Sequence, residues 1–190
     1  DLNKVTAWGE VSEKLKIPNY PFILVTLHPE TNVSSDFSIE LEELSNVLNV
    51  LINRYFILVT GTNTDQNYES INIFFKNFQK ANPNKTMLVE TLGRDFYFSA
   101  LKNCSFLLGN TSSGIIEAAS FGKFVINIGN RQLGRIANSN VLNSPFNSGE
   151  ILKKVNIIEN FDFVYKGANI YKQKNSVKRI TNEIKKYLKC

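Results

Sequence analysis

The chain is poor in the residues that most protein chemistry relies on: 190 residues hold one histidine, two cysteines, one methionine and one tryptophan. Two cysteines cannot build the disulfide framework of a small secreted scaffold. Cys104 sits in an apolar stretch and reads as a small core residue, and Cys190 ends the chain; free thiols of this kind fit a reducing, cytoplasmic setting. No apolar run approaches the roughly 18–20 residues that cross a bilayer, which sets a membrane-spanning role aside. No signal peptide is visible, and the chain opens at Asp1 rather than Met, so a fragment of a longer protein is the expectation. Internal repeats, low-complexity segments and Pro/Gly linkers are missing too, and no residue cluster calls for a metal or a cofactor.

What is present is ordinary for a globular domain, with 43% hydrophobic and 21% charged residues, enough to bury a core without staples. The net charge of +5 gathers in the tail, at Lys172, Lys174, Lys178, Arg179, Lys185, Lys186 and Lys189. Val177, Ile180, Ile184, Tyr187 and Leu188 recur there at helical spacing, so the lysines fall on the opposite, solvated face. No nucleic-acid motif accompanies the charge, and no nucleic-acid partner is expected.

Short apolar runs alternate with segments of helical period. Phe22–Leu27, Tyr55–Thr60, Thr86–Val89, Phe106–Leu108 and Phe124–Ile128 have the unbroken character of parallel strands buried on both faces. Between them, Phe37–Asn53 carries Leu41, Leu44, Leu48 and Leu51 on one face, with Asp36 placed to cap it. Asp65–Lys80 carries Tyr68, Ile71, Phe75 and Phe78; Phe96–Lys102 and Gly114–Phe121 read as shorter helices, and Ser148 is placed to cap another ending near Ile157. The alternation predicts an α/β domain, a Rossmann-like parallel sheet with helices on both faces. Ligands of such sheets bind beyond the carboxyl ends of the strands, where strand order reverses.

Four strand ends carry residues suited to a phosphorylated ligand. Phe106-Leu-Leu-Gly-Asn-Thr-Ser-Ser-Gly-Ile-Ile-Glu117 ends a strand at Gly109 and opens a helix near Ser113. A helix start offers unpaired N–H groups to an anion, and Thr111, Ser112 and Ser113 add hydroxyls. Glu117, a turn deeper, suits the two hydroxyls of a ribose; an ordinary Ser/Thr-capped helix has the same composition. His28, the only histidine, follows the first strand ahead of Pro29 and suits phosphate pairing or proton transfer, or a structural role. Asn127-Ile-Gly-Asn-Arg-Gln-Leu-Gly-Arg135 offers Arg131 and Arg135, planar permanent cations suited to phosphate or simply to solvent. In Gly61-Thr-Asn-Thr-Asp65, Asn63 suits either a ligand or a turn with Asp65.

Taken together, Val25-Thr-Leu-His-Pro29, Gly109 to Glu117 and Ile126-Asn-Ile-Gly-Asn-Arg-Gln-Leu-Gly-Arg135 resemble the C-terminal half of UDP-N-acetylglucosamine 2-epimerases. The last segment resembles the hydrolysing branch, which makes N-acetylmannosamine for sialic-acid-type sugars. The resemblance implies a GT-B architecture of two facing Rossmann-like domains. In it, residues 1–20 form the interdomain connection and a helix, 21–170 the UDP-binding domain, and 171–190 a helix returning toward the N-terminal domain. It further implies Thr111, Ser112 and Ser113 at the diphosphate, Glu117 at the ribose, Asn63 and Arg131 at other UDP positions, and His28 as the catalytic histidine of the cleft. The segment Gly93-Arg-Asp-Phe96 falls where the family's backbone holds uracil. Implied partners are a UDP-sugar and the protein's own N-terminal domain, which holds the catalytic carboxylates, so the chain alone is expected to be inactive. A homo-oligomer is compatible with the sequence. Two rivals stand beside this reading: the nucleotide-binding domain of a GT-B glycosyltransferase, and a non-catalytic nucleotide-binding module. The sequence does not choose between UDP-N-acetylglucosamine and a diacetylated, deoxygenated relative as substrate.

Overall fold

A computed structural model describes residues 5–30, 37–62 and 68–188 of the chain. Six strands run parallel in the order β3-β2-β1-β4-β5-β6: β1 (Phe22–Thr26), β2 (Phe56–Thr60), β3 (Thr86–Val89), β4 (Leu107–Gly109), β5 (Val125–Ile128) and β6 (Val141–Ser144). The five runs predicted as strands are all present. The sixth, β6, escaped the sequence reading: it is an edge strand with Leu142 half-buried and Asn143 exposed, so it lacks the unbroken apolar run that marks the others.

Because successive side chains point to opposite faces, β1 divides its residues between two cores. Ile23 and Val25, with Leu27 just past the strand, join one cluster with residues of helices α2 (Ser38–Leu51), α3 (Tyr68–Ala81) and α6 (Ser148–Glu159). Phe22 and Leu24 join the other with Ala100 and Leu101 of α4 (Gly93–Asn103) and Ile115 of α5 (Ser112–Ile116). Helix α1 (Trp8–Lys14) packs on α4 and stacks Trp8 on Phe22, ring centroids 4.5 Å apart. Cys104 is fully buried, donates from Sγ to the Leu101 carbonyl, and burial pushes its pKa up to about 12, so the thiol is a core residue as expected.

Several boundaries differ from the sequence reading. Helix α6 is capped by Asn147, whose side chain accepts from the Glu150 amide, not by Ser148. Helix α5 begins at Ser112 with Thr111 as its cap, and after Ile116 the chain tightens into a 3-10 turn over Ala118–Phe121. Asp36, read as the cap of α2, lies outside the described residues. Helix α7 (Ser176–Leu188) buries none of its residues; Val177, Ile180, Ile184, Tyr187 and Leu188 are all exposed.

Strand β1 pairs with β2 on one side and β4 on the other. Order reverses between β1 and β4, so the segments following Thr26 and Gly109 meet at the switch point.

Candidate functional site

Close approach of two backbones builds the site. Gly109 is in register with Thr26 and takes φ +140°; a β-carbon there would come 2.0 Å from the Thr26 carbonyl oxygen. Only glycine fits. Below it, the Thr26 and Thr60 hydroxyls bond to each other at 2.8 Å, closing the polar ends of β1 and β2.

Asn110, the next residue, is fully buried and carries the architecture of the site. Its amide donates to the Thr26 carbonyl at 3.1 Å. Its side-chain Oδ1 accepts from the His28 amide at 2.8 Å, and its Nδ2 donates to the His28 carbonyl at 2.9 Å. Its own carbonyl accepts from Arg131 Nη1 at 3.2 Å and from Gln132 Nε2 at 2.7 Å. One asparagine therefore ties together the segment after β1, the turn after β4 and the loop after β5. Sequence reading passed over Asn110 and Gln132: an asparagine in a turn looks like a turn former, and its partners lie 82 and 22 residues away.

Of the residues singled out in the sequence, His28, Thr111, Ser112, Ser113, Glu117 and Arg131 all belong to these three segments. Asn63 lies outside the described residues. Thr111 caps α5, its Oγ1 accepting from the Ser113 amide at 3.4 Å. His28 is 9% exposed, and with Thr111 and Ser113 it lines a hollow of about 410 Å³ that reaches Gly93 and Arg94 at the start of α4. A neighbouring hollow of about 320 Å³ shares Arg94 and is lined by Glu117, Phe98 and Tyr171.

The hydroxyl oxygens of Ser113 and Tyr97 are buried. Burial pushes the Tyr97 hydroxyl up to about 12, opposed by the nearby Ser113 and Thr26 hydroxyls. Burial also raises Glu117 above the ordinary carboxylate range, opposed by the neighbouring Ser113 hydroxyl and by a backbone amide. Glu117, Ser113 and Tyr97 thus form a half-buried polar cluster at the start of α5, with the Ser113 hydroxyl between the carboxylate and the phenol. Among the described residues, no group of His, Cys, Asp and Glu could hold a metal ion.

The switch-point geometry, the glycine-tight turn and the junction of the three strand-end segments at Asn110 agree with one protein family. Its sequence model, described as UDP-N-acetylglucosamine 2-epimerase, matches residues 2–185. The chain belongs to the UDP-N-acetylglucosamine 2-epimerase family.

Relatives of this epimerase-family chain include the polysialic acid biosynthesis protein P7 of Escherichia coli, 28% identical over 88% of this chain and 43% of the relative. The GDP/UDP-N,N'-diacetylbacillosamine 2-epimerase (hydrolyzing) of Campylobacter jejuni is 36% identical over 65% of this chain and 32% of the relative. Among solved structures, the Methanocaldococcus jannaschii UDP-GlcNAc 2-epimerase in complex with UDP-GlcNAc and UDP superposes with a TM-score of 0.68. It is 17% identical, over 97% of this chain and 49% of that one, and the likeness shows that this chain has the Rossmann-like fold of one half of a GT-B-like protein. The chain thus spans half or less of these proteins' length and corresponds to their C-terminal half.

Proposed function

We propose that this chain is the UDP-binding half of a hydrolysing UDP-N-acetylglucosamine 2-epimerase, which converts its substrate to N-acetylmannosamine and UDP. The observation that carries the reading is the Asn110 junction, which draws His28, the Thr111–Ser113 turn and Arg131 together at the switch point. The Campylobacter relative, named as a hydrolyzing epimerase, and the Methanocaldococcus enzyme, bound to UDP-GlcNAc and UDP, support it.

In this reading the diphosphate lies against Thr111, Ser112 and Ser113 at the start of α5. Arg131 supplies a permanent positive charge, and Asn63 is a further UDP contact. The raised Glu117 carboxylate accepts from the two ribose hydroxyls, which return the hydrogen bonds that its burial removed. The Gly93–Phe96 segment, whose Gly93 and Arg94 line the hollow, faces the base.

The reaction is an elimination followed by a hydration. A base takes the proton from C2 of the sugar as the C1–O bond breaks and UDP leaves, giving a glycal. Water then adds its hydroxyl to C1 and a proton to C2, yielding free N-acetylmannosamine. Negative charge grows on the departing diphosphate, and donors fixed in advance stabilise it best. Arg131 and His28 serve that purpose here. The carboxylates that move the C2 proton belong to the N-terminal half, so this chain binds UDP and turns over nothing alone. Helix α7, with its apolar stripe exposed, fits a return toward that half.

Titration calorimetry of this chain with UDP tests the binding half of the reading; absence of measurable heat at millimolar UDP overturns it. Proton NMR of the longer protein with UDP-N-acetylglucosamine tests the chemistry. Free N-acetylmannosamine is the expected product, and turnover by this chain alone would contradict the division of labour.

A further inference from the structure

The loop after β5 has to hold Arg131 steady although it runs over the surface, with Leu133 82% and Ile136 75% exposed. Loops of this kind wander unless something fixes them. One fixed point is the Gln132 and Arg131 contact with the Asn110 carbonyl. A second lies on the other side of the arginine: Glu30 Oε1 accepts from the Asn130 amide at 2.7 Å.

That contact is made across 100 residues of sequence, and the backbone is shaped to allow it. Gly129 takes φ +75°, and a β-carbon there would sit 2.1 Å from Glu30 Oε1 and 2.6 Å from the Phe146 ring. Glycine is required for the turn and for the approach of the carboxylate. Glu30 also stands two residues after His28, whose backbone Asn110 grips from the other side. A closed circuit results: His28 to Glu30 by chain, Glu30 to Asn130 by hydrogen bond, Asn130 to Arg131 by chain, Arg131 to Asn110, and Asn110 back to His28. Glu30 spends its carboxylate on a backbone amide. Among the described residues neither Glu30 nor Arg131 takes part in an ion pair, so the loop is anchored without neutralising the guanidinium.

We infer that Glu30 is a positioning residue: its carboxylate clamps the Gly129–Gln132 backbone so that Arg131 is held, still charged, against the Asn110 carbonyl for the diphosphate. The inference rests on the UDP reading above. It concerns a hydrogen-bond acceptor rather than a charge, which gives it a specific test.

Two measurements on this chain decide it. Amide hydrogen exchange without ligand compares the wild type with Glu30→Ala and Glu30→Gln. Asn130 is expected to be protected in the wild type and in Glu30→Gln, whose side-chain oxygen still accepts, and to lose protection in Glu30→Ala. Calorimetry with UDP is expected to show Glu30→Ala binding about five- to tenfold more weakly, with Glu30→Gln within about twofold of wild type and thermal midpoints alike in all three. Unchanged exchange at Asn130 in Glu30→Ala overturns the clamp, as does undiminished UDP affinity in that variant. Glu30→Gln binding as weakly as Glu30→Ala would show that charge matters and not the acceptor, and also overturns it. If the wild type itself binds no UDP, the functional reading falls, while the exchange data still judge the clamp.

Discussion

The side-chain amide of Asn110 bonds both backbone polar groups of His28, accepting from its N–H at 2.8 Å and donating to its carbonyl at 2.9 Å. A carboxamide offers an acceptor and a donor side by side whatever the pH, and here both are buried. Replacing Asn110 with Ala strands the two His28 groups and is expected to cost about 2–4 kcal/mol of unfolding free energy, read by urea denaturation. Asn110→Asp either buries a carboxylate that lacks the donor or must take up a proton to regain it, so it is expected to destabilise the fold increasingly as pH rises above the ordinary carboxylate range. A loss under about 0.5 kcal/mol in Asn110→Ala would show that the junction contributes little.

Two glycines separate strain from collision. Gly109→Ala adds a left-side backbone penalty to a 2.0 Å clash with the Thr26 carbonyl. It is expected to cost at least ~3 kcal/mol. Gly134 takes φ +84° with no neighbour within 4 Å of an added β-carbon, so Gly134→Ala should cost only about 1 kcal/mol. Thermal unfolding of the pair checks the ranking.

The strands were legible because β1, β2, β4 and β5 are buried on both faces, and double burial writes itself as an apolar run. The same logic hid β6, whose Asn143 looks out at solvent. Candidate site residues could be named because the strand-end rule needs no tertiary information: His28, Thr111 and Arg131 each follow a recognisable run. What could not be read was the pairing among them. The Asn110–His28 and Glu30–Asn130 bonds span 82 and 100 residues, and nothing local in either segment announces a partner that distant. The cap of α6 shows the same limit at short range, where Asn147 and Ser148 are both good caps and only the backbone at Asn147 has the extended geometry that capping needs.

Glu117 yields a prediction with a sign. Burial raises its folded-state pKa above that of the unfolded chain, so the folded protein binds this proton more tightly. The group therefore favours folding at acid pH and loses that contribution as pH climbs through the interval between the unfolded and folded values. Glu117→Gln is expected to flatten that segment of the stability–pH curve and to be no less stable than wild type at pH 7. In the same variant UDP affinity should fall about tenfold or more, because a neutral amide accepts more weakly from ribose hydroxyls. Stability and binding moving in the same direction at pH 7 would contradict the assignment.

Arg131 can be tested by shape as well as charge. Arg131→Ala is expected to weaken UDP binding by about 10- to 100-fold. Arg131→Lys should recover only part of the loss, since an ammonium carries the charge without the planar fork that also reaches the Asn110 carbonyl. Full recovery in the lysine variant, measured by calorimetry at fixed ionic strength, would reduce the arginine to a point charge.

Cys104 gives the molecule a built-in clock. Its sulfur has no exposure and its proton is held far above neutral pH, whereas alkylating reagents need an accessible thiolate. With Cys190 replaced by serine, it is the sole remaining thiol of the two, and chemical modification has to wait for the sheet around it to open. The labelling rate under native conditions then reports how often the core around Cys104, beside the start of β1, comes apart, and any ligand that binds only the folded chain should slow that clock as its occupancy rises.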